Sequence, residues 1–448
     1  MTAAEKSFIG LAKQDEKGTP NTTDAEFNYL LFRAGGVAPQ NIVLPLDAEV
    51  GGGAMLRDMV KVGVTSGGAL DIIPRPDTLG HFLLGAMGDI ETANEDGESF
   101  KLKSDAIMAD VYLQSIPQTG YDIGISSPPT TRTLIVKGTE GGEGPLAGTV
   151  TVYGTDALDA PLEEDFILDG DEYIVGEEEF KTVTEVDLPV RVDPGDMVRV
   201  GWDDPAYRHL FKLPTDQFDA PYYTVRSAPG QLWGEQFQDC RVAGLAITFA
   251  GARFVEGAVT FMGGLPTPVS IATWDALTYL DEGPQFLAPT SLGIELPPAT
   301  GLKVLSGSVA WGLAIPLDEQ WVVGSYSPDD FDINQRSMVI TMAVKLTSDT
   351  LYKKLMYDGV GAVSEWTAEI YREGQMQLSL RSPIEASTGN PYELTIRAHD
   401  TEDNIVWSAA PIGLRAGRQI VMAVTGVVLN TSAGNPIEVE LVNTIPAY

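Results

Sequence analysis

Runs of alternating apolar residues, each cut off by Gly, Pro, Asn or Asp after roughly 8 to 12 residues, recur along the whole chain. The clearest are 148–154 (GTVTVYG), 244–251 (GLAITFAG), 258–264 (AVTFMGG), 337–346 (SMVITMAVKL), 392–398 (YELTIRA) and 437–443 (IEVELVN). A period of two sends successive side chains to opposite faces of a strand, and the runs are rich in Val, Ile and Thr. Turn residues are plentiful: 47 Gly and 29 Pro are spread through 448 residues. This spacing predicts an all-β protein of sandwiches or barrels.

Helical periodicity appears twice. In PDTLGHFLLGAMGD, Asp77 reads as a cap, Leu79, Phe82, Leu83 and Met87 share one face, and Gly88 ends the helix. In TSDTLYKKLMYDG, Ser348 or Asp349 caps, Leu351, Tyr352, Leu355 and Met356 form the apolar face, and Gly359 ends it. The two helices expose an internal repeat. Pro45-Leu46-Asp47 returns 271 residues later as Pro316-Leu317-Asp318, and Asp77-Thr78-Leu79 returns 272 residues later as Asp349-Thr350-Leu351. Each match leads through strands into a Gly-terminated helix, which predicts a tandem duplication.

A different unit lies between the copies. From Thr131 to Val200 there are 17 acidic and 5 basic residues, in short strands broken by acidic Gly-rich turns. Its length and pattern suit an immunoglobulin-like sandwich. Asp169-Gly170-Asp171 reads as a hairpin turn. The expected organisation is therefore a first β domain made of 1–128 plus 199–275, an inserted sandwich at 129–198, and a second β domain at 276–448, with one short helix in each copy. At ~150 residues per domain, the length agrees with three.

Charge and composition exclude several functions. Lys and Arg number 29 against 63 Asp and Glu, a net charge of −34. Such a chain has no basic surface with which to coat nucleic acid or an anionic membrane. No apolar run reaches ~18 residues, and the first twenty residues are charged where an export signal would be apolar, so neither a membrane anchor nor an export signal is expected. The lone Cys240 leaves no internal disulfide or Cys-based zinc site and reads as a small buried residue. His81, His209 and His399 are scattered, and His81 falls between apolar helix positions. Asp330, Asp332 and Asn334 open like a calcium loop, but Gln335 stands where Gly is needed and Thr341 where Glu is needed. Gly51, Gly52 and Gly53 precede no Lys and are no phosphate cradle. Trp233, Trp311, Trp321 and Trp366 read as core or subunit contacts. No catalytic, cofactor or metal residue is expected.

Several blocks resemble the major tail tube proteins of long-tailed bacteriophages (siphophages). GLAKQDEKGTP from Gly10 is similar to that family's N-terminal arm. Val62 to Asp89 resembles its strand-then-helix block, and Cys240 to Gly264 its paired strands after an insertion. LAGTVTVYGTDALDAPLEEDFILDG followed by FKTVTEVDLP resembles the immunoglobulin-like domain inserted in such proteins, and GNPIEVELVN a family ending. The resemblance implies a non-enzymatic virion protein, assembled in the host cytoplasm, whose strands join those of its neighbours in a β-lined ring. Rings stack around a tape-measure protein, end at tail-terminator and tail-tip proteins, and later let double-stranded DNA pass without specific binding.

With two tandem tube domains per chain, three chains would close a pseudo-hexameric ring. Residues 3–20 show no strand pattern and, with the glycine-rich loop after Leu46, are expected to order only when rings stack. Lys13, Lys17, Gly18, Gly51, Gly52 and Gly53 are the expected ring-stacking residues, and an acidic lumen wall would keep DNA from adhering. Two other classes fit the composition: an adhesin of stacked sandwiches, or an acidic β-sandwich glycoside hydrolase whose carboxylate pair sequence cannot locate.

Overall fold

Strands dominate the computed structural model, which carries two α-helices among the described residues. Outside the described residues lie 1–6, 24–26, 47–57, 94–101, 123–126, 129–131, 143, 171–172, 204–205, 215, 217–218, 252, 271–284, 287–292, 295–302, 317–319, 348, 358–375, 388–389, 399–404, 414–418, 431–434 and 446–447. The first stretch comprises β1 (Phe8–Lys13), β2 (Asn28–Tyr29), β3 (Ala34–Gly35), β4 (Ala38–Leu46), β5 (Asp58–Ile72), α1 (Pro76–Met87) and β6 (Asp89–Ala93). There follow β7 (Leu102–Tyr112), β8 (Gln118–Tyr121), β9 (Arg132–Thr139), β10 (Ala147–Thr155), β11 (Pro161–Asp169), β12 (Tyr173–Phe180), β13 (Thr182–Leu188) and β14 (Met197–Asp203). The chain returns through β15 (Tyr207–Lys212), β16 (Tyr223–Ala228), β17 (Gly234–Ala250), β18 (Glu256–Gly263) and β19 (Pro266–Val269). The second half holds β20 (Gly293–Ile294), β21 (Lys303–Ala314), β22 (Gln335–Lys345), α2 (Thr350–Tyr357), β23 (Met376–Ser387), β24 (Asn390–Ala398), β25 (Ile405–Gly413), β26 (Val421–Val428) and β27 (Ile437–Asn443).

The inserted unit is a sandwich of two four-stranded sheets, ordered β11-β10-β13-β8 and β12-β9-β14-β7. Its own core includes Leu134, Val136, Val150, Val152, Phe166 and Phe180. The sandwich is larger than the 129–198 read from sequence. β7 and β8 precede residue 129 and pair with β14 and β13, while β14 runs on to Asp203. The segment LKSDAIMADVY mixes charge into its alternation, which hides β7 from a pattern reading. Asp169-Gly170 is not a hairpin turn: β11 pairs with β10 and β12 with β9, so this turn, with Gly170 at φ +69°, crosses between the sheets.

The rest is one body. A 13-stranded sheet and a six-stranded sheet, ordered β20-β23-β24-β27-β15-β6, both draw strands from the two halves of the chain. Between them a single core joins Leu79, Phe82 and Leu83 of α1 to Leu245 and Ile247 of β17, and to Val309 and Ile340 of the second half. α1 is buried along its length. Arg75 occupies its N-cap position, its side chain making no capping bond there, and Pro76 its first turn, so Asp77 is not the cap. The buried Asp77 instead accepts from Thr444 Oγ1 at 3.4 Å. Gly88 closes the helix at φ 102°, a conformation that favours glycine, and its N–H donates to Leu84 O.

The arm departs from expectation. Phe8–Lys13 is a strand in six-residue register with β16, from Phe8↔Ala228 to Lys13↔Tyr223. Ile9 and Leu11 enter the main core, while Ala12 packs with Phe27 and Tyr29. Small residues at Gly10 and Ala12 mask an alternation in which both faces are covered.

Candidate assembly interface

The large sheet repeats itself. Following its pairings, four strands run β4-β5-β18-β17 and the next four run β21-β22-β26-β25. Each quartet starts with two consecutive strands whose second leads into a helix, α1 or α2, and ends with two antiparallel strands from later in the same half. The quartets meet where β17 pairs with β21, in register from Gly244↔Gly312 to Ala250↔Ser306. At this seam Leu245, Ile247, Phe249, Val309 and Trp311 are all buried.

The outermost strands of the double quartet are β4 and β25. Among the described residues, β4 pairs only with β5, and β25 only with β26. β4 carries Pro39 and Pro45, which lack the N–H a central strand donates, and all but one of its nine residues are exposed. The register shift in its pairing with β5, between Ile42 and Val43, adds a local irregularity. β25 is anchored by the buried Trp407, which lies over Gly426 of β26. An open sheet with two unpaired edges is a template for pairing with another chain.

The face of this sheet turned away from the core is built of small side chains. One cross-strand row reads Asp71, Ala258, Ala246, Ala310, Val339, Val427 and Val406; the next reads Glu256, Thr248, Ser308, Thr341, Thr425 and Ser408. Asp71 and Glu256 are the carboxylates in these two rows, and Glu256 accepts from Arg33 at 2.6 Å.

Two of the residues expected to stack rings lie in one polar cluster. Lys17 Nζ donates to Asp330 Oδ2 at 2.6 Å, and Tyr222 OH to Asp330 Oδ1 at 2.7 Å. Gly18, at φ +79°, donates its N–H to Asp239 Oδ1 at 2.7 Å; Gln14 and Asp239 exchange two further bonds. Burial works against the charge on Lys17 and Asp330, but their mutual contact outweighs it, raising the pKa of the lysine and lowering that of the aspartate. Asp330 thus serves an ion pair between the arm and the second half rather than a cation loop; Asp332 and Asn334 are exposed. Lys13 stands apart at the end of β1, with Nζ donating to Tyr448 O at 3.3 Å. Gly51, Gly52 and Gly53 fall outside the described residues, as do Trp366 and His399.

The remaining candidates have structural surroundings. His81 is buried on α1, its Nε2 2.9 Å from Asn28 Nδ2 and its ring edge-on to Tyr448. Burial first, and Lys13 second, lower its pKa to about 4. Cys240 is fully buried, which raises its thiol pKa. Trp311 is in the core and Trp233 is half exposed. Trp321 lies on Gly63 of β5 so closely that a Cβ there would come within 2.3 Å of the indole.

Three residues that the sequence reading passed over join distant parts. Arg336, at the start of β22, donates to Ala86 O (2.6 Å), Met87 O (3.0 Å) and Asp219 O, tying the second half to the end of α1. Asn443 Oδ1 lies 3.0 Å from His209 Nε2, and its Nδ2 donates to Pro76 O at 2.9 Å. Asp196 accepts from the N–H groups of Gly141, Val192 and Asp193 at 2.7–2.8 Å and holds a sandwich turn. No local motif marks Arg336 or Asn443, because their partners lie hundreds of residues away, and the contact of Asp196 with Gly141 spans 55 residues.

Edges left open among the described residues, a repeated strand order and a shared core make this a β-sheet protein whose two halves are folded together. A family described as phage tail tube protein matches residues 4–412, and the chain belongs to that family. It is a structural protein of the virion tail that self-assembles into tail tubes. No curated protein matches it significantly.

Proposed function

We propose that the chain forms closed rings that stack into the tube of a long, non-contractile tail, the conduit for DNA ejection, without catalysis. Each chain supplies two tube domains, the first from the residues on either side of the inserted sandwich (1–101 and 204–275) and the second from 276–448. Three chains then make a pseudo-hexameric ring. The observation that carries this reading is the repeated strand order. The seam β17·β21 inside the chain is the template for a seam between chains, where β25 of one copy meets β4 of the next. Both free edges disappear on closure, which also protects the sheet from non-specific pairing.

In such a ring the coreless face of the sheet lines the lumen. Its two central rows are small and nearly uncharged, so the wall is smoother and less acidic than the net charge suggests. Asp71 and Glu256 supply local repulsion, screened within ~8 Å at physiological salt. A wall without clustered Lys or Arg gives DNA nothing to bind by counterion release. The lumen would first hold a tape-measure protein, and the tube would end on tail-terminator and tail-tip proteins. Stacking is assigned to the arm, through Lys13, Lys17 and Gly18, and to the sequence between β4 and β5 that contains Gly51, Gly52 and Gly53. Assembly belongs to the host cytoplasm. Negative-stain microscopy of concentrated purified protein tests the reading: hollow tubes are expected, and dispersed monomers under all conditions would refute it.

A further inference from the structure

β17 serves two sets of neighbours and changes between them at one residue. From Gly234 to Phe237 it pairs with β19, and from Glu235 to Cys240 with β16. From Arg241 it pairs with β18, and from Gly244 with β21 across the seam. At the change, β16 advances from Tyr223 to Val225 while β17 covers Cys240 back to Phe237, one residue more. The extra residue makes a β-bulge, which bends and twists the strand that carries it. Asp239 sits in this bulge at φ 54°, in the left-handed region that favours glycine. The other non-glycine residue there among the described residues, Asp159, lies in an exposed bend between β10 and β11. A strained residue inside a 17-residue strand persists only where its surroundings hold it.

What holds it is the segment after β1. Gln14 is 4% exposed and meets Asp239 with both ends of its amide. Its Oε1 accepts from the Asp239 N–H at 2.8 Å, and its Nε2 donates to Asp239 Oδ1 at 3.0 Å. The Gly18 N–H donates to the same oxygen at 2.7 Å. Across the bulge, Thr224 Oγ1 accepts from the Asn21 N–H at 3.0 Å. Residues 14–21 therefore cross the bulge as a strap. Lys17 ties the strap to Asp330 of the second half. Tyr222 OH donates to Asp330 and accepts from Arg241 Nη2 at 2.6 Å, two residues past Asp239.

We propose that residues 14–21 set the bend of β17, with Asp239 as a strained joint between the first-half strands and the β17·β21 seam. Closed, the strap keeps Asp239 at positive φ, and β17 leaves the bulge in register with β21. Opened, Asp239 relaxes toward extended backbone, the bend is lost and the seam loosens. The coupling is reciprocal, so loosening the seam also frees the strap. Asp239 is thus a positioning residue. This device belongs to the single subunit and is independent of how rings close or stack.

Hydrogen exchange of the full-length, unassembled subunit, read by peptide mass spectrometry, tests the coupling. Gln14→Met keeps the side-chain length and removes its bonds to Asp239. Exchange should accelerate about tenfold or more in the strap and also in 244–250 and 306–312, with β9 and β10 of the sandwich unchanged. Asp239→Gly removes the carboxylate together with the strain, so the strap should exchange faster while the seam stays protected. The double variant should regain wild-type protection at the seam, because a glycine in the bulge needs no strap. A seam unmoved by Gln14→Met overturns the proposal. So does a seam loosened as much by Asp239→Gly as by Gln14→Met, or one still loose in the double variant. Should Gln14→Met fail to fold, the double variant must fold with a protected seam; failure of both refutes the strained joint.

Discussion

Single side chains hold the halves of this molecule together, and their removal should be measurable. Arg336 supplies the guanidinium donors for three backbone carbonyls, those of Ala86 and Met87 at the end of α1 and that of Asp219 in the β15–β16 connection. Burial, and then the charge of Arg241, lower its pKa to about 10, so it stays charged at neutral pH. Arg336→Met fills similar space without donors and should destabilise the subunit by about 1–3 kcal/mol, read from a urea midpoint at constant slope. The histidines give a pH dependence. His81 has its pKa lowered to about 4, and that of His209 is also lowered, by burial against two hydrogen bonds. In the unfolded chain both titrate near 6.5, so between about 6.5 and 4 the unfolded state binds more protons and stability is lost as the pH drops. For His81 alone the loss approaches about 3 kcal/mol at the acid end. Urea midpoints should decline across that window, and His81→Gln should flatten the decline; an unchanged slope would show that the histidine is not responsible.

At the scale of elements, the ends of the inserted sandwich are adjacent. β6 and β15 are antiparallel neighbours, with Ala93 opposite Arg208 and Asp89 opposite Lys212. A deletion of 102–203, closed by a short Gly/Ser linker, therefore needs no rearrangement of the six-stranded sheet. The sandwich has its own core and a surplus of acid, so the shortened chain should fold and still form tubes by negative stain. A cut at 131–192 alone should fail, because it leaves β7, β8 and β14 exposed without their partners.

The difference between these two cuts measures what was legible. Period-two runs and the Leu79–Phe82–Leu83 stripe located most strands and α1, because those signals are local. β1 was missed because Gly10 and Ala12 erase its contrast, and β7 because charge interrupts it. The free edges β4 and β25 were not legible at all. That β17 pairs with β21, across some sixty residues, leaves no trace in turn chemistry, and neither does the contact of Lys17 with Asp330.

For the whole molecule the question is how many chains close a ring. The two quartets share a core and a continuous sheet, so the β17·β21 seam exists before assembly. On the proposed closure only the β25·β4 seam would form between chains, and two tube domains in one chain would halve the number of bimolecular contacts a sixfold wall needs. Linked domains also meet at a high effective concentration, which favours the internal seam over a wrong partner. The copies are not identical: β4 carries two prolines and exposed residues where β21 carries Trp311 and Leu313 in the core. The two kinds of seam should therefore differ in detail, and the ring should be threefold, with sixfold order only approximate. Cryo-electron microscopy of tubes refined under threefold symmetry should resolve three chains per ring, with the β17·β21 register preserved. It should also show a second register in which β4 lies antiparallel to β25. Six chains per ring, or a β25 edge facing solvent in the assembled tube, would refute this closure while leaving the tail tube family untouched.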